Sequence, residues 1–355
     1  MSGLARIPLS VLDLSPIVAG GTAAQALRNS LDLAQHVERW GFSRYWVAEH
    51  HNMPGIASAA TSVVIGHIAA GTSRIRVGSG GIMLPNHAPL MIAEQFGTLE
   101  SLYPGRIDLG LGRAPGADQL TVQILRRGLG SNGDDFPQLL EELRSFLRPA
   151  TPGQRVRAVP GAGLNIPIWL LGSGGFSAQL AGQLGLPFAS AGHFSPANML
   201  PGLELYRRSF RPSETLAKPR ALVCVNVFAA ESDGEAQRLA TSHYQASLSL
   251  IRGMPQPLPP PVETMDGLWS PQERAAVESM TGGSIIGSAA TVRRKLEAFA
   301  EATAADELMI HAFIHGHAER LRSYELLAAV MDGVHAPAQP ERERFDARIA
   351  GVTSA

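Results

Sequence analysis

The sequence is poor in cysteine: Cys224 is the single one among 355 residues. A lone cysteine cannot form an internal disulfide, which argues against the architecture of small disulfide-rich secreted domains. It favours a reducing compartment, so we expect a cytoplasmic protein. Cys224 stands in the apolar stretch ALVCVNVF, and this setting predicts a buried core residue.

An excess of charge of either sign is also missing. Thirty basic against 31 acidic residues give a formal net charge of -1, and no run of Lys and Arg marks a nucleic-acid-binding surface. No stretch reaches the ~18 consecutive apolar residues of a membrane span. The first residues, MSGLARIPLSVLDLSP, lack the apolar core of a signal peptide. We therefore expect a soluble protein with neither a nucleic-acid nor a membrane partner.

The dinucleotide fingerprint GxGxxG does not follow the first predicted strand. Short apolar runs instead alternate with longer segments of helical period, a pattern typical of parallel strands joined by helices. We predict eight strands, at 7–14, 43–50, 74–81, 106–113, 167–174, 186–192, 220–228 and 306–314. Eight strand and helix repeats favour an α/β fold of the (β/α)8 TIM-barrel type with insertions. An open doubly wound sheet is the alternative, because periodicity does not show whether a sheet closes.

The chain exceeds the ~250 residues of a bare barrel. The additional residues fall at 114–166, at 249–289 and after Gly333. The segment 249–289 is rich in Pro, Gly and Met and lies between the last two predicted strands, so we interpret it as a mobile lid. Residues 1–333 then form one barrel domain, and 334–355 form a tail that is a loose extension or a subunit contact.

In such a barrel the active site lies at the carboxyl ends of the strands. The second predicted strand ends in Glu49, His50 and His51. Strand alternation directs Glu49 and His51 to one side and His50 to the other. Metal binding is disfavoured, because adjacent histidines on a strand diverge and no second cluster of ligands has a fitting spacing. A structural histidine and a proton-transferring His50 both stay open.

Three further strand ends carry candidate site residues. Gly80 and Gly81 form either a tight turn or a place where a planar ligand approaches the backbone. Arg113 follows the fourth predicted strand and is either a surface ion-pair partner or a group that meets a phosphate or a carbonyl-rich ring.

The fifth predicted strand leads through a Gly and Ser turn into a helix. Backbone N–H groups and the hydroxyls of Ser173 and Ser177 lie at this helix start, which is a typical phosphate site, although serine also caps helices for structural reasons. With Arg113 this turn predicts a clamp that holds a phosphate from two sides.

These stretches together resemble the bacterial luciferase-like flavin monooxygenases. The likeness is carried by WVAEHH, by IRVGSGGIMLPNHAPLMIAEQFGTLESLYPGRIDLGLGRAPG, by IWLLGSGGFSAQLAGQLGLPFA and by GSIIGSAATVRRKLEAFAEATAADELMIHAFI, and it runs from about residue 5 to 333. It implies a (β/α)8 barrel that binds FMN at the carboxyl ends of the strands, with the phosphate near the loop after the fifth strand.

The resemblance also assigns residues. His50 takes the place of the family's active-site histidine, and the Gly80–Gly81 peptide is expected to be cis beneath the isoalloxazine ring. Arg113 matches the phosphate-binding arginine, and the set on the other side of the phosphate is Ser173, Gly174 and Ser177. Luciferase has a carboxylate where this chain has Ser173, and a reactive cysteine where it has Gly112, so light emission is not implied.

The implied activity is a monooxygenase reaction. Reduced FMN from a separate flavin reductase reacts with oxygen to a carbon-4a hydroperoxide, which oxygenates a small hydrophobic organic substrate. Family likeness also suggests a homodimer. The alternatives are a hydride-transferring oxidoreductase linked to a deazaflavin or to nicotinamide, and a flavin-binding protein without turnover.

Overall fold

The computed structural model describes residues 7–126 and 133–332. Its strands are β1 (Leu9–Asp13), β2 (Arg44–Val47), β3 (Arg76–Ser79), β4 (Ile82–Met83), β5 (Ile107–Gly112), β6 (Ile168–Gly172), β7 (Phe188–Ser190), β8 (Ala221–Ala230), β9 (Ile285–Ser288) and β10 (Glu307–His311). Its α-helices are α1 (Ala23–Arg39), α2 (Thr61–Ala70), α3 (Pro89–Leu102), α4 (Gln119–Arg126), α5 (Phe136–Leu147), α6 (Gly175–Leu184), α7 (Pro196–Ser209), α8 (Asp233–Ile251), α9 (Pro271–Thr281), α10 (Ala289–Thr303) and α11 (His317–Asp332). A 3-10 turn spans Leu84–Asn86.

Eight parallel strands close into a barrel. The ladder runs β10-β1-β2-β3-β5-β6-β7-β8, and β8 pairs in turn with β10. The two strands of this closing pair are in register from Leu222 opposite Glu307 to Asn226 opposite His311. The predicted (β/α)8 fold is therefore confirmed, and the open doubly wound sheet is wrong because the described sheet has no free end on this path.

All eight predicted strands are present, but their bounds differ. The stretch predicted at 43–50 is in the ladder only over Arg44–Val47, and the Glu49 carboxylate after it bonds Met83 and His87 of a later segment. Two short strands were not predicted. One of them, β9, lies inside the segment 249–289 and pairs with the end of β8, from Val227 opposite Ile285. This is possible because β8 extends to Ala230 and leaves an unpaired edge above the barrel.

The barrel interior is charged at the amino ends of the strands. Arg44 Nη1 lies 2.6 Å from Asp108 Oδ2, and Arg44 Nε lies 2.9 Å from Glu307 Oε1. These three side chains come from β2, β5 and β10, which are not neighbours, so they meet across the interior. Burial alone would raise the pKa of Asp108, but the guanidiniums of Arg44 and Arg76 lower it below its usual value. The ion pairs fill this end of the barrel.

The middle of the interior is apolar. Trp46 and Trp169 pack edge to face with their ring centroids 5.5 Å apart, and Leu12, Leu222, Cys224 and Met309 pack around them. Cys224 is buried, and burial raises the pKa of its thiol. The predicted core role of this cysteine is confirmed.

The segment 249–289 contains the end of α8, all of α9 and β9. Between these elements the chain crosses to the loop after β1, where Leu258 donates its N–H to the Ile17 oxygen and accepts one from Ala19, both at 2.8 Å. The predicted tail 334–355 and residues 127–132 of the insertion 114–166 lie outside the described residues. Across the two described ranges, no helix is both long and apolar enough to cross a membrane.

Candidate active site

Glu49 lies at the centre of a hydrogen-bond network after β2. Its buried carboxylate accepts from His51 Nε2 at 2.8 Å, from His87 Nε2 at 2.9 Å and from the Met83 N–H at 2.9 Å. Burial acts to raise the pKa of Glu49, but the hydrogen bonds from His51 and His87 outweigh it and lower the pKa to about 2. Glu49 is therefore a permanent carboxylate that ties three segments together.

The same residue connects the ends of β2 and β3 through its backbone. The Glu49 N–H donates to the Gly81 oxygen at 3.3 Å, and the Gly80 N–H donates to the Val47 oxygen at 2.9 Å. The Gly80–Gly81 peptide bond is cis, as predicted. A Cβ on Gly81 would come within 2.7 Å of the Gly110 oxygen, so the backbone packs closely against β5 at this point.

His50 does not take part in the Glu49 network. Glu49 and His51 contact each other, whereas His50 Nδ1 is buried and has no hydrogen-bond partner among the described residues. Burial lowers the pKa of His50 to about 4, with His51 adding to the effect and Glu49 opposing it. At neutral pH the imidazole is uncharged, so it offers one hydrogen-bond donor and one acceptor to a group placed beside it.

Arg113 and the start of α6 are close together at the carboxyl ends of β5 and β6. The Arg113 guanidinium carbon lies 4.3 Å from the centroid of the Phe176 ring, in the first turn of the helix. Gly174 is the N-cap residue, and no side chain of the described residues caps this end. The predicted residues Ser173 and Gly174 are partly exposed here.

This arrangement fits a phosphate. Uncapped N–H groups at a helix start and a guanidinium both favour an anion between them. A Cβ built on Gly174 meets open space within 4 Å, so this side of the turn is accessible. Ser177 is 7% exposed, and its Oγ would be 2.9 Å from a Cβ on Gly172. Ser177 thus lies deeper than Ser173, at the junction of strand and helix.

Three histidines that sequence reasoning missed lie near one another at the barrel mouth. His311 ends β10, His193 follows β7 and His243 lies within α8. The ring centroids of His193 and His311 are 5.6 Å apart, and those of His243 and His311 are 6.2 Å apart. We call His193, His243 and His311 the histidine cluster. Asn226 of β8 lies beside it, with Oδ1 2.8 Å from His311 Nδ1.

The strand-end rule could have found two members of the cluster, because His193 and His311 stand at carboxyl ends of predicted strands. His243 lies in the middle of a helix and carries no such signal. Burial lowers the pKa of His193 to about 3 and that of His243 to about 4. Burial and the neighbouring His193 and His243 hold the pKa of His311 well below its usual value.

Ring nitrogens of the cluster lack partners. The buried atoms without a hydrogen-bond partner among the described residues include both ring nitrogens of His243, Nδ1 of His193 and Nε2 of His311. Within residues 7–126 and 133–332, no group of three or more His, Cys, Asp or Glu side chains is arranged to hold a metal ion. The cluster is therefore a set of neutral polar groups with unused hydrogen-bonding capacity.

Comparison with known proteins gives consistent matches over the whole barrel. A family model described as luciferase-like monooxygenase matches residues 7–306. The Bacillus subtilis protein YvbT is 60% identical over 91% of this chain and 96% of its own length. A luciferase-like monooxygenase of Escherichia coli K12 is 52% identical over 92% of this chain and 97% of its own length. The crystal structure of apo-MsnO8 has a TM-score of 0.86 at 38% identity and covers 92% of this chain and 98% of its own.

More distant structures share the fold but differ in cofactor. The oxygenating constituent of 3,6-diketocamphane monooxygenase from Pseudomonas putida, solved in complex with FMN, has a TM-score of 0.68 at 20% identity and covers 95% of this chain and all of its own. An F420-dependent secondary alcohol dehydrogenase has a TM-score of 0.63 at 14% identity and covers 93% of this chain and all of its own. At these identities the likeness shows the fold alone.

Proposed function

The chain belongs to the luciferase-like monooxygenase family and is an oxidoreductase, and from this premise we propose that it uses reduced FMN and oxygen to oxygenate a small organic substrate. The observation that carries a phosphorylated flavin as cofactor is the Arg113 guanidinium beside the start of α6, at the barrel mouth where His50 also lies. The related fold that was solved with FMN supports it.

In this proposal the phosphate of FMN is held by Arg113 on one side and by Ser173, Gly174 and Ser177 on the other. The ring system lies against the Gly80–Gly81 peptide. When bound, reduced FMN supplies the electrons that activate oxygen. His50, whose Nδ1 has no partner in the described part of the chain, would hold or transfer a proton at the reacting edge of the ring.

Glu49 acts indirectly, by holding other residues of the site in place. Its carboxylate fixes His51 and the loop that carries His87, and its backbone holds Gly81, so His50 and the Gly80–Gly81 peptide keep one relative position. We assign Glu49 as a positioning residue, because its oxygens are occupied by protein donors.

The segment 249–289 is proposed to close over the site as a lid that excludes water. The pairing of Leu258 with the loop after β1 supports this, since that loop lies at the carboxyl end of the barrel. Family membership is also the basis for proposing a homodimer and a separate flavin reductase in the cytoplasm, with 334–355 as an extension of the domain 1–333.

Loss of the Arg113 guanidinium tests the cofactor site. We expect Arg113→Ala to raise the Kd for FMN by about 10- to 100-fold, since a charge-assisted hydrogen bond to phosphate contributes about 1.5–3 kcal/mol. The Kd of Arg113→Lys is expected to lie between those of the wild type and Arg113→Ala, because lysine keeps the charge but loses the planar fork. Fluorescence titration measures the Kd, and Arg155→Ala, on an exposed loop, is the matched control. Equal Kd values for Arg113→Ala and Arg155→Ala would refute the site.

The chemistry is tested by mixing the protein anaerobically with reduced FMN and then admitting oxygen. A flavin absorbance that matches neither reduced nor oxidised FMN and that persists supports the oxygenase. Immediate reoxidation without such a species, together with tighter binding of oxidised F420 than of FMN, favours the deazaflavin alternative, for which the F420-dependent dehydrogenase of the same fold is the precedent. Tight FMN binding without either reaction indicates a flavin-binding protein without turnover.

A further inference from the structure

The hydrogen bonds of Asn226 fix the tautomer of His311. The Asn226 amide nitrogen lies 2.5 Å from the His193 backbone oxygen and 3.3 Å from Ser284 Oγ. A carbonyl oxygen can only accept, so the amide nitrogen must face it and Asn226 Oδ1 must face His311 Nδ1 at 2.8 Å. The proton of the neutral His311 ring is therefore on Nδ1. Its Nε2 carries a lone pair, is buried and has no partner among the described residues.

Aromatic side chains and the other two histidines of the cluster surround this lone pair. Phe313 stacks on His311 with centroids 5.6 Å apart, and Phe228 lies 5.6 Å from His243. Among the described residues, the groups with the largest electrostatic effect on His311 are His50, His193, His243 and Arg320, none of which is a carboxylate. Arg320 is itself paired with Asp13. A ligand that enters here thus meets a hydrogen-bond acceptor within an aromatic wall.

The position of the cluster relative to the phosphate clamp decides which ligand it meets. Arg113 and the start of α6 follow β5 and β6, whereas the cluster and Asn226 belong to β7, β8, α8 and β10. The two groups therefore follow different strands around the barrel mouth. His50, which the proposed function places at the reacting edge of the flavin ring, is among the groups that act on His193 and His311, so the cluster lies on the side where a substrate would react.

We propose that the histidine cluster is the subsite for a neutral hydroxyl or N–H group of an otherwise apolar substrate, with that group donating its hydrogen to His311 Nε2. Asn226 is then a positioning residue, which holds the lone pair toward the ligand. This inference rests on the proposed function, because it assumes that the flavin occupies the clamp side of the mouth.

An uncharged group is favoured over a carboxylate for a physical reason. An imidazole with a pKa of about 4, as burial gives His243, is protonated in roughly one molecule in a thousand at pH 7. A carboxylate would have to recruit a proton to the cluster before it found a positive partner. A hydroxyl or N–H donor finds its acceptor without any change of protonation.

The test compares three probes of one chain length on the FMN-loaded protein by calorimetric titration. These are 1-octanol, which donates a hydrogen bond, octyl methyl ether, which only accepts, and octanoate, which is anionic. We expect 1-octanol to bind about tenfold more tightly than the ether, because one hydrogen bond contributes about this factor to affinity. In His311→Phe the two probes should bind equally. His67→Phe, on the exposed side of α2, is the matched control. Equal binding of alcohol and ether overturns the proposal, as does tightest binding of octanoate with uptake of a proton.

Two further measurements keep the proposal testable if His311→Phe folds poorly. The ¹⁵N spectrum of histidine-labelled protein should show His311 protonated at Nδ1 in the wild type, and Asn226→Leu should add the Nε2 tautomer. A wild-type His311 protonated at Nε2 would overturn the proposal. So would a loss of FMN affinity in a folded His311 variant as large as in Arg113→Ala, since His311 would then hold the flavin. If alcohol selectivity is present but no oxygenation occurs, the proposed function fails while the subsite stands.

Discussion

At the scale of single residues, the three residues of the stretch EHH after β2 have different hydrogen-bond partners. Glu49 and His51 contact each other at 2.8 Å, whereas His50 Nδ1 has no hydrogen-bond partner among the described residues. Strand alternation predicted that Glu49 and His51 share one side. It did not predict what Glu49 binds, because His87 and the Met83 N–H come from a loop more than thirty residues later in the chain. Side-chain direction is a local property, whereas the identity of a partner depends on how the barrel closes.

Removal of the Glu49 carboxylate is expected to be strongly destabilising. In Glu49→Ala the His51 ring, the His87 ring and the Met83 N–H lose their acceptor inside the protein, and breaking a buried charged network costs about 3–5 kcal/mol. Glu49→Gln keeps one acceptor oxygen and should lose less. Urea unfolding at pH 7 measures both.

Glu204→Ala on the exposed side of α7 is the control for this experiment, with an expected change within about 0.5 kcal/mol. The structural role assigned to Glu49 is wrong if Glu49→Ala unfolds at the same urea concentration as Glu204→Ala. A stable Glu49→Ala with normal FMN binding would also remove the argument that Glu49 positions the loops around His50.

At the scale of elements, periodicity predicted each barrel strand because each is a short apolar run between helices. It did not predict β9, since IIGS looks like any brief apolar stretch and forms a strand only because β8 projects beyond the barrel. Periodicity likewise did not predict that His243 belongs to the site. Its place in the site results from the packing of α8 against Phe228 of β8, which a helical pattern does not encode.

The start of α9 provides a prediction about the segment 249–289. Ser270 Oγ accepts the Glu273 N–H, and the Glu273 carboxylate accepts the Ser270 N–H at 2.7 Å, which completes a capping box. Ser270→Ala should lower the stability of this helix by about 1 kcal/mol and increase amide exchange across 271–281. Hydrogen exchange with mass spectrometry measures it.

Ser288 is the matched control, because it is also an N-cap serine but makes no capping hydrogen bond to a described residue at the start of α10. Ser288→Ala should therefore change exchange in its own helix by less than Ser270→Ala changes it in α9. Equal effects would show that the capping box does not hold the start of α9.

At the scale of the whole molecule, the barrel interior has three layers along its axis. Ion pairs around Arg44 occupy the amino ends, the tryptophan pair occupies the middle, and neutral imidazoles occupy the carboxyl ends. The sequence predicted that polar groups would gather at the carboxyl ends, where a barrel carries its site. It did not predict the charged layer, because Arg44, Asp108 and Glu307 interrupt apolar strands and show their pairing only when distant strands face one another.

The neutral layer should make stability depend on pH between about 6.5 and 4. Burial lowers the pKa of His50 and His243 to about 4 and that of His193 to about 3, whereas in the unfolded chain a histidine titrates near 6.5. In that interval the unfolded chain binds protons that the folded chain excludes, so the free energy of unfolding falls as the pH is lowered.

Each such histidine lowers the free energy of unfolding by at most about 1.4 kcal/mol for each pH unit below about pH 6.5. Glu49, with its pKa lowered to about 2, adds a similar loss only below about pH 4.5, where its unfolded form becomes protonated. Urea unfolding at pH 7.5, 6.5 and 5.5 therefore reports the histidines alone among these groups. In His243→Phe the slope between pH 6.5 and 5.5 should be shallower by up to about 1.4 kcal/mol per unit. An unchanged slope would mean that His243 can take up a proton in the folded protein, and that the cluster is not the desolvated, neutral site described above.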